Sequence, residues 1–105
     1  MKLLHVDASP KGATSCSRAL SRHFVDRLRD GLGRLSVDHL DLATNPPQHV
    51  TEAFVSAAYT PSDLRTPEMC SALASSDALC ARVLAADALL FAMPMHNWTM
   101  PSALK

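Results

Sequence analysis

The stretch that decides the fold is Ala88–Met93, which reads ALLFAM. An unbroken apolar run of this length is typical of a strand that is covered on both faces in the middle of a parallel sheet. A second apolar run, Leu3–Val6, is interrupted only by His5 and predicts another buried strand that leads into a loop. Two buried strands joined by helical segments indicate the α/β class.

The segment between these two runs predicts a helix and a weaker strand. From Ser17 onward, apolar residues recur at every fourth position, and we expect this stripe to be the buried side of an amphipathic helix. The stripe consists of Leu20, Phe24 and Leu28, with Val25 and Leu32 beside them. Gly31 and Gly33 predict the end of the helix. Leu35–Leu42 alternates imperfectly and predicts a half-exposed edge strand.

A second long helix is predicted before the last strand. A proline-rich loop around Pro46 separates the edge strand from a weak helical turn over Glu52–Ala58. Thr66 is then placed to cap a helix whose first residue is Pro67. Its expected buried side consists of Met69, Leu73, Cys80, Val83 and Leu84. Pro101 is expected to begin a further helix.

The alternation of strands and helices predicts how the sheet is assembled. Placing the two buried strands side by side, with the mixed strand outside, gives the order 2-1-3, which begins a flavodoxin-like, doubly wound parallel sheet. We expect residues 1–105 to form one domain of this α/β class. The loops Ser9–Ser17 and Pro94–Trp98 then meet at the carboxyl ends of the strands, where such sheets bind ligands.

Composition excludes several classes of function. The chain has 10 Lys and Arg against 10 Asp and Glu, so it lacks the basic excess that a general nucleic-acid binder needs. Three cysteines without CxxC spacing suggest free thiols in a reducing cytoplasm. The first apolar run is too short for a signal peptide or a membrane span, so we expect a cytoplasmic protein without a membrane partner. The histidines show no i, i+4 pair, so no metal site is expected.

The first loop has the chemistry of an anion site. Ser and Thr residues crowd Ser9–Ser17 and run directly into the first helix, whose N-terminus presents unpaired N–H groups and the positive end of a dipole. A phosphate monoester fits such a loop. The alternative is that Ser15 or Ser17 only caps the helix. Neither GxGxxG nor a Walker A motif is present, which disfavours direct dinucleotide binding and NTP hydrolysis.

The second loop combines aromatic, polarizable and hydrogen-bonding residues. Met95 and Trp98 can pack around a planar heterocycle, while His96 and Asn97 border its edge. The alternative is that Trp98 only anchors the loop in the core. Because both loops arrive at one place in the sheet, we expect a flat cofactor that bears a phosphate.

These stretches together resemble the first half of the FMN-dependent NADH azoreductases, a family of flavodoxin-like quinone and azo-compound reductases. The resemblance is carried by the Ser9–Ser17 loop, Asp41–Pro46, Thr66–Pro67, Ser76–Asp77 and above all Ala86–Lys105. It implies FMN as cofactor, NADH or NADPH as electron donor, an azo or quinone substrate, and a homodimer. The implied FMN-binding residues are Ser9, Ser15, Cys16 and Ser17 at the phosphate, and Met95, His96, Asn97 and Trp98 at the ring.

Two departures from that family are visible. Its members usually have Tyr and Phe where this chain has His96 and Trp98, which bears on flavin potential and substrate preference. They also continue for about as many residues again, so we expect the domain to be truncated or to be completed by another chain.

Two other functions compete with this interpretation. One is a non-catalytic flavodoxin-like fragment or electron carrier, although the chain lacks the acidic excess that such carriers usually display. The other is a cysteine phosphatase, because Cys16 and Arg22 have the C-x5-R spacing. Arg22 falls about two turns into the predicted helix, where no phosphate-binding loop can close, so this alternative is disfavoured.

Overall fold

The computed structural model describes residues 1–95 and 98–105. Its strands and α-helices alternate as the sequence predicts. In chain order they are β1 (Lys2–Asp7), α1 (Cys16–Leu32), β2 (Ser36–Asp41), α2 (Glu52–Tyr59), α3 (Pro67–Ala85) and β3 (Ala88–Ala92). Two short 3-10 helices span Ser62–Leu64 and Ser102–Leu104. The second of these lies where a further helix is predicted after Pro101.

The three strands form one parallel sheet in the order β2-β1-β3, which confirms the predicted flavodoxin-like arrangement. The register pairs Lys2 with Ser36 at the start of β2 and Leu3 with Ala88 at the start of β3. Asp87 fastens this end of the sheet, because its carboxylate accepts the Lys2 N–H at 2.7 Å and its N–H donates to the Lys2 carbonyl at 2.8 Å.

The two faces of the central strand differ in polarity, because successive side chains of a strand point to opposite faces. One face forms the apolar core. Its buried members are Leu4, Val6, Ala8, Leu40 and Leu42, with Leu79, Ala86, Ala103 and Leu104 packed against them. The opposite face carries Leu3, His5 and Asp7, all buried, and Ser21 of α1 donates to the Asp7 carboxylate at 3.2 Å. Helix α1 therefore covers a face that includes buried polar groups.

The expected buried side of α1 is confirmed for Val25 and wrong for Leu20, Phe24 and Leu32. The helix buries Ser21 and Val25, whereas Leu20 is 71% exposed and Phe24 is 50% exposed. The apolar period is present, but the helix turns a neighbouring face inward because hydrogen-bonding groups lie beneath it. Its end is as predicted, with Gly33 in the left-handed conformation donating its N–H to the Arg29 carbonyl.

Helix α3 begins as predicted and packs partly as predicted. Thr66 caps it by accepting the Met69 N–H at 3.3 Å, and Pro67 is its first residue. Leu73 is buried. The expectation is wrong for Cys80, Val83 and Leu84, which are exposed because the helix faces the sheet through Leu79 instead.

Strand β3 forms where the apolar run predicts it, but the expected cover on both faces is not seen among residues 1–95 and 98–105. Within them β3 pairs with β1 alone, and Leu89 and Phe91 are 45% and 48% exposed. Strand β2 is the expected edge strand, with only Leu40 buried.

No helix in the described part of the chain combines the length and the apolar character needed to cross a membrane.

Two leucine-to-alanine substitutions test the orientation of α1. Leu4 is 1% exposed, so we expect Leu4→Ala to lower the free energy of unfolding by about 2–5 kcal/mol. Leu20→Ala removes the same atoms from an exposed site and should change it by no more than about 0.5 kcal/mol. Urea unfolding followed by circular dichroism measures both. A large loss from Leu20→Ala would show that the Leu20 stripe is buried after all.

Candidate functional site

The first loop ends in a capped helix N-terminus. Ser15 has extended backbone angles, and its Oγ accepts the Arg18 N–H at 3.3 Å. The Ser15 and Ser17 hydroxyl oxygens lie 3.1 Å apart and share a hydrogen bond. Ser15 is therefore the helix cap that the alternative interpretation required. A capping hydroxyl still has its own proton to donate, so capping does not exclude a contact with a ligand.

Hydrogen-bond donors collect at this helix start. The N–H groups of Cys16 and Ser17 belong to the first turn of α1, so they have no acceptor within the helix. They lie at the positive end of the helix dipole. Ser9, at the other end of the loop, is buried and accepts the Lys11 N–H at 3.2 Å. The loop thus offers backbone donors, hydroxyls and one lysine side chain to an anion.

A cavity of about 500 Å³ joins this loop to the end of β3. A volume of this size is typical of cofactor sites. Its walls are Ser9, Pro10, Lys11, Thr14, Ser15, Cys16, Ser17, Pro94 and Met95. The structure therefore brings together five of the eight residues predicted for the site, four from the first loop and Met95 from the second.

The other three residues predicted for the site are His96, Asn97 and Trp98. His96 and Asn97 lie outside the described residues. Trp98 is 91% exposed, has a positive φ of 63° and is not among the residues that line the cavity. Met95 is exposed at the cavity mouth.

Arg18 holds the site together, and sequence reasoning missed it. Its guanidinium donates to both carboxylate oxygens of Asp41, at 2.8 and 2.6 Å, and to the Ser9 carbonyl at 2.7 Å. One side chain of α1 thereby ties the carboxyl end of β2 to the start of the first loop. The signal that could have identified Arg18 from the sequence is its position three residues after Ser15, in the first turn of the helix.

The ion pair perturbs both partners. Hydrogen bonding from Arg18 lowers the pKa of Asp41 from 3.8 to about 2, and the Ala43 N–H, donating to the same carboxylate at 2.9 Å, adds to this effect. The hydrogen bond with Asp41 in turn raises the pKa of Arg18. The pair is partly shielded from water, so it contributes more than a fully solvated pair does.

A second polar cluster lies beside the ion pair, under α1. His5 and His39 face each other across β1 and β2, where they are register partners, with ring centroids 4.9 Å apart. Asp7 lies between them. Its oxygens are 3.3 Å from His5 Nε2 and 2.7 Å from His39 Nε2. Helical i, i+4 spacing could not reveal this cluster, because its signal is the i, i+2 spacing of His5 and Asp7 on a strand.

Cys16 and Arg22 do not form a phosphatase loop. Cys16 lines the cavity at the end of β3, whereas Arg22 lines a separate cavity between α1 and β2. The C-x5-R spacing is therefore not accompanied by the geometry in which an arginine clamps a phosphate beside the thiolate.

Comparison with known families identifies the fold independently. The model of a family described as having the flavodoxin-like fold matches residues 1–105. This chain belongs to that flavodoxin-like family. The family resemblance predicted from the sequence is confirmed.

Curated relatives share substantial identity with the chain. It is 39% identical over 105 residues to an FMN-dependent NADH:quinone oxidoreductase of Nostoc punctiforme, an alignment covering 100% of this chain and 51% of that protein. A protein of the same name from a Nostoc species is 41% identical over 103 residues, covering 98% of this chain and 50% of that protein. The chain thus spans about half the length of these relatives.

Solved structures match at the level of the fold. The azoreductase AzrA superposes with a TM-score of 0.86 at 24% identity, over 99% of this chain and 52% of that one. An azoreductase from Bacillus anthracis gives a TM-score of 0.85 at 25% identity, over 98% of this chain and 51% of that one.

The Asp41 pair predicts a specific loss of stability in acid. A carboxyl whose pKa is depressed in the folded state stabilises it above the ordinary pKa, and this contribution disappears as pH falls from about 4 to about 2. We expect Asp41→Asn to be less stable than the parent at neutral pH and to lose less stability over that acidic range. Urea unfolding at a series of pH values measures how steeply the free energy of unfolding changes with pH.

Asp26→Asn is the matched control, because Asp26 pairs with Arg29 on the exposed surface of α1 at 3.4 Å. Asp26→Asn should alter the pH dependence of the free energy of unfolding in this acidic range less than Asp41→Asn does. Equal slopes for Asp41→Asn and the parent would contradict the proposed strength of the Arg18 pair.

Proposed function

We propose that this chain supplies the phosphate-binding part of the flavin site in an FMN-dependent NAD(P)H oxidoreductase. The observation that carries the proposal is the cavity in which the N-terminus of α1 and its serine-rich loop meet Pro94 and Met95. A phosphate needs donors at one end of such a cavity, and a ring system needs apolar surface at the other. Both kinds of surface are present.

The donor set fits a phosphate monoester. We assign the phosphate to the N–H groups of Cys16 and Ser17 and to the hydroxyls of Ser9, Ser15 and Ser17. Backbone N–H groups at a helix start bind anions without requiring a matching positive side chain. This is consistent with Arg18, whose charge is already neutralised by Asp41.

The ring is assigned to the second loop. Met95 is a polarizable side chain at the mouth of the cavity, suited to contact with the face of a flavin. On the family resemblance we add His96, Asn97 and Trp98 to this side of the site. Trp98 is exposed and so offers an aromatic surface that a bound ring can use.

The reaction we propose is hydride transfer from NADH or NADPH to a quinone or an azo compound. Bound FMN supplies the capacity to accept and to release the hydride, and the protein supplies placement and electrostatics. The sequence of events is ping-pong, with the nicotinamide leaving before the acceptor enters the same space. We assign no catalytic side chain.

Several observations support this proposal over its alternatives. The curated relatives are named FMN-dependent NADH:quinone oxidoreductases, and a structural neighbour is an FMN-dependent NADH-azoreductase in complex with FMN. Because the chain spans about half of those proteins, the proposed activity belongs to a protein of their full extent, which we propose is a cytoplasmic homodimer. The alternative is a flavodoxin-like fragment that binds FMN without catalysis.

A phosphate-specific titration tests the site. Ser17→Ala removes one hydroxyl donor, and a hydrogen bond to a charged group contributes about 1.5–3 kcal/mol, so FMN affinity should fall by about tenfold or more. Riboflavin lacks the phosphate, and its affinity should not change. Quenching of flavin fluorescence measures both dissociation constants.

The matched control is Ser75→Ala, which alters an exposed serine in the middle of α3. It should leave both affinities unchanged. An equal loss of FMN and riboflavin affinity in Ser17→Ala would refute the assignment of the phosphate to this loop.

Steady-state kinetics test the reaction. With NADH and a quinone varied together, double-reciprocal plots should give parallel lines, as a ping-pong sequence requires, and an azo dye should replace the quinone. Cys16→Ser should retain the rate, whereas a cysteine phosphatase would lose its activity with that substitution. A protein of the relatives' full extent that binds FMN but oxidises no NADH would support the non-catalytic alternative, and intersecting lines would exclude the ping-pong order.

A further inference from the structure

The polar cluster under α1 has the composition of a metal site. Two imidazoles and one carboxylate, from His5, Asp7 and His39, present donor atoms that all lie within 4.8 Å of one another. These groups occupy neighbouring strands, so the sheet fixes their spacing. We infer that His5, Asp7 and His39 form a binding site for one divalent transition-metal ion such as Zn²⁺.

The strongest support is a buried nitrogen atom without a partner. His5 is 7% exposed, and its Nε2 makes no hydrogen bond within the described part of the chain. The nearest carboxylate oxygen, on Asp7, is 3.3 Å away. Leaving a buried polar atom unpaired is costly, and a cation between the nitrogen and the oxygen would satisfy both.

Bond lengths of about 2.0–2.2 Å place donor atoms about 3 to 4 Å apart. Here the Asp7 oxygens lie 3.3 Å from His5 Nε2 and 2.7 Å from His39 Nε2, and all the donor atoms lie within 4.8 Å of one another. The His39 side chain is 47% exposed, and its Nε2 would exchange the 2.7 Å hydrogen bond to Asp7 Oδ2 for the ion. Three protein ligands leave a position for water, which the adjoining cavity of about 280 Å³ can accommodate.

Charged side chains near the cluster influence its affinity for a cation. Arg18 lies 3.7 Å from Asp7 and opposes a cation, but its charge is offset by its two hydrogen bonds to Asp41. Arg22 also lines the cavity, as do Arg29 and its partner Asp26. Ser21 donates to Asp7 Oδ1 at 3.2 Å and would orient the carboxylate as an outer partner.

Calorimetric titration of the full chain with ZnCl₂ tests this site. The parent should bind about one ion per chain. Loss of an outer partner alone weakens metal sites by about 10- to 100-fold, so His39→Ala, which removes a ligand, should weaken binding by at least about 100-fold. Zn²⁺ should also raise the urea concentration at which half of the parent protein is unfolded, and it should not do so for His39→Ala.

The matched control is His49→Ala, which removes an exposed histidine from the loop before α2 and should bind as the parent does. Circular dichroism checks that both variants fold. Titration with Co²⁺ distinguishes imidazole and carboxylate ligands from the free thiols, because thiolates add charge-transfer absorption. Absence of saturable binding, equal affinity in His39→Ala, or thiolate absorption would each overturn the inference.

Discussion

The bidentate pair between Arg18 and Asp41 is the interaction on which the arrangement of the site depends. It joins the first turn of α1 to the carboxyl end of β2, and the same guanidinium binds the Ser9 carbonyl at the end of β1. The helix N-terminus is thus held over the strand ends from which the two loops leave. This tie and the bond from the Ala8 N–H to the Ala92 carbonyl at 2.9 Å fix the first loop relative to the end of β3.

The polar face of β1 explains several features together. Because Asp7 is buried, it requires hydrogen-bonding partners, and α1 supplies Ser21 while β2 supplies His39. A helix that must satisfy a carboxylate turns small polar residues inward, which leaves Leu20 and Phe24 on its outer side. The opposite face of the same strand follows the usual rule and packs Leu4 and Val6 into the apolar core.

The two cavities differ in chemistry although both are lined by residues of α1 or its cap. The cavity beside Ser15 and Met95 offers N–H and hydroxyl donors, which suit an anionic cofactor. The cavity beside His5 and His39 holds imidazole nitrogens and the Asp7 carboxylate, the donor types of the cation site that we propose. Asp7 and Arg18 stand between these regions: the Arg18 guanidinium lies 3.7 Å from the Asp7 carboxylate and donates to the Ser9 carbonyl.

Local patterns in the sequence were sufficient for the order of elements, the cap at Thr66, the helix end at Gly33 and the loop that begins at Ser9. Each depends on residues within a few positions of one another, so propensity and periodicity encode it directly. The buried face of α1, the role of Arg18 and the approach of His39 to His5 were decided by the tertiary structure alone. They depend on the register between strands more than thirty residues apart, and no local preference specifies that register because it results from packing of the whole sheet.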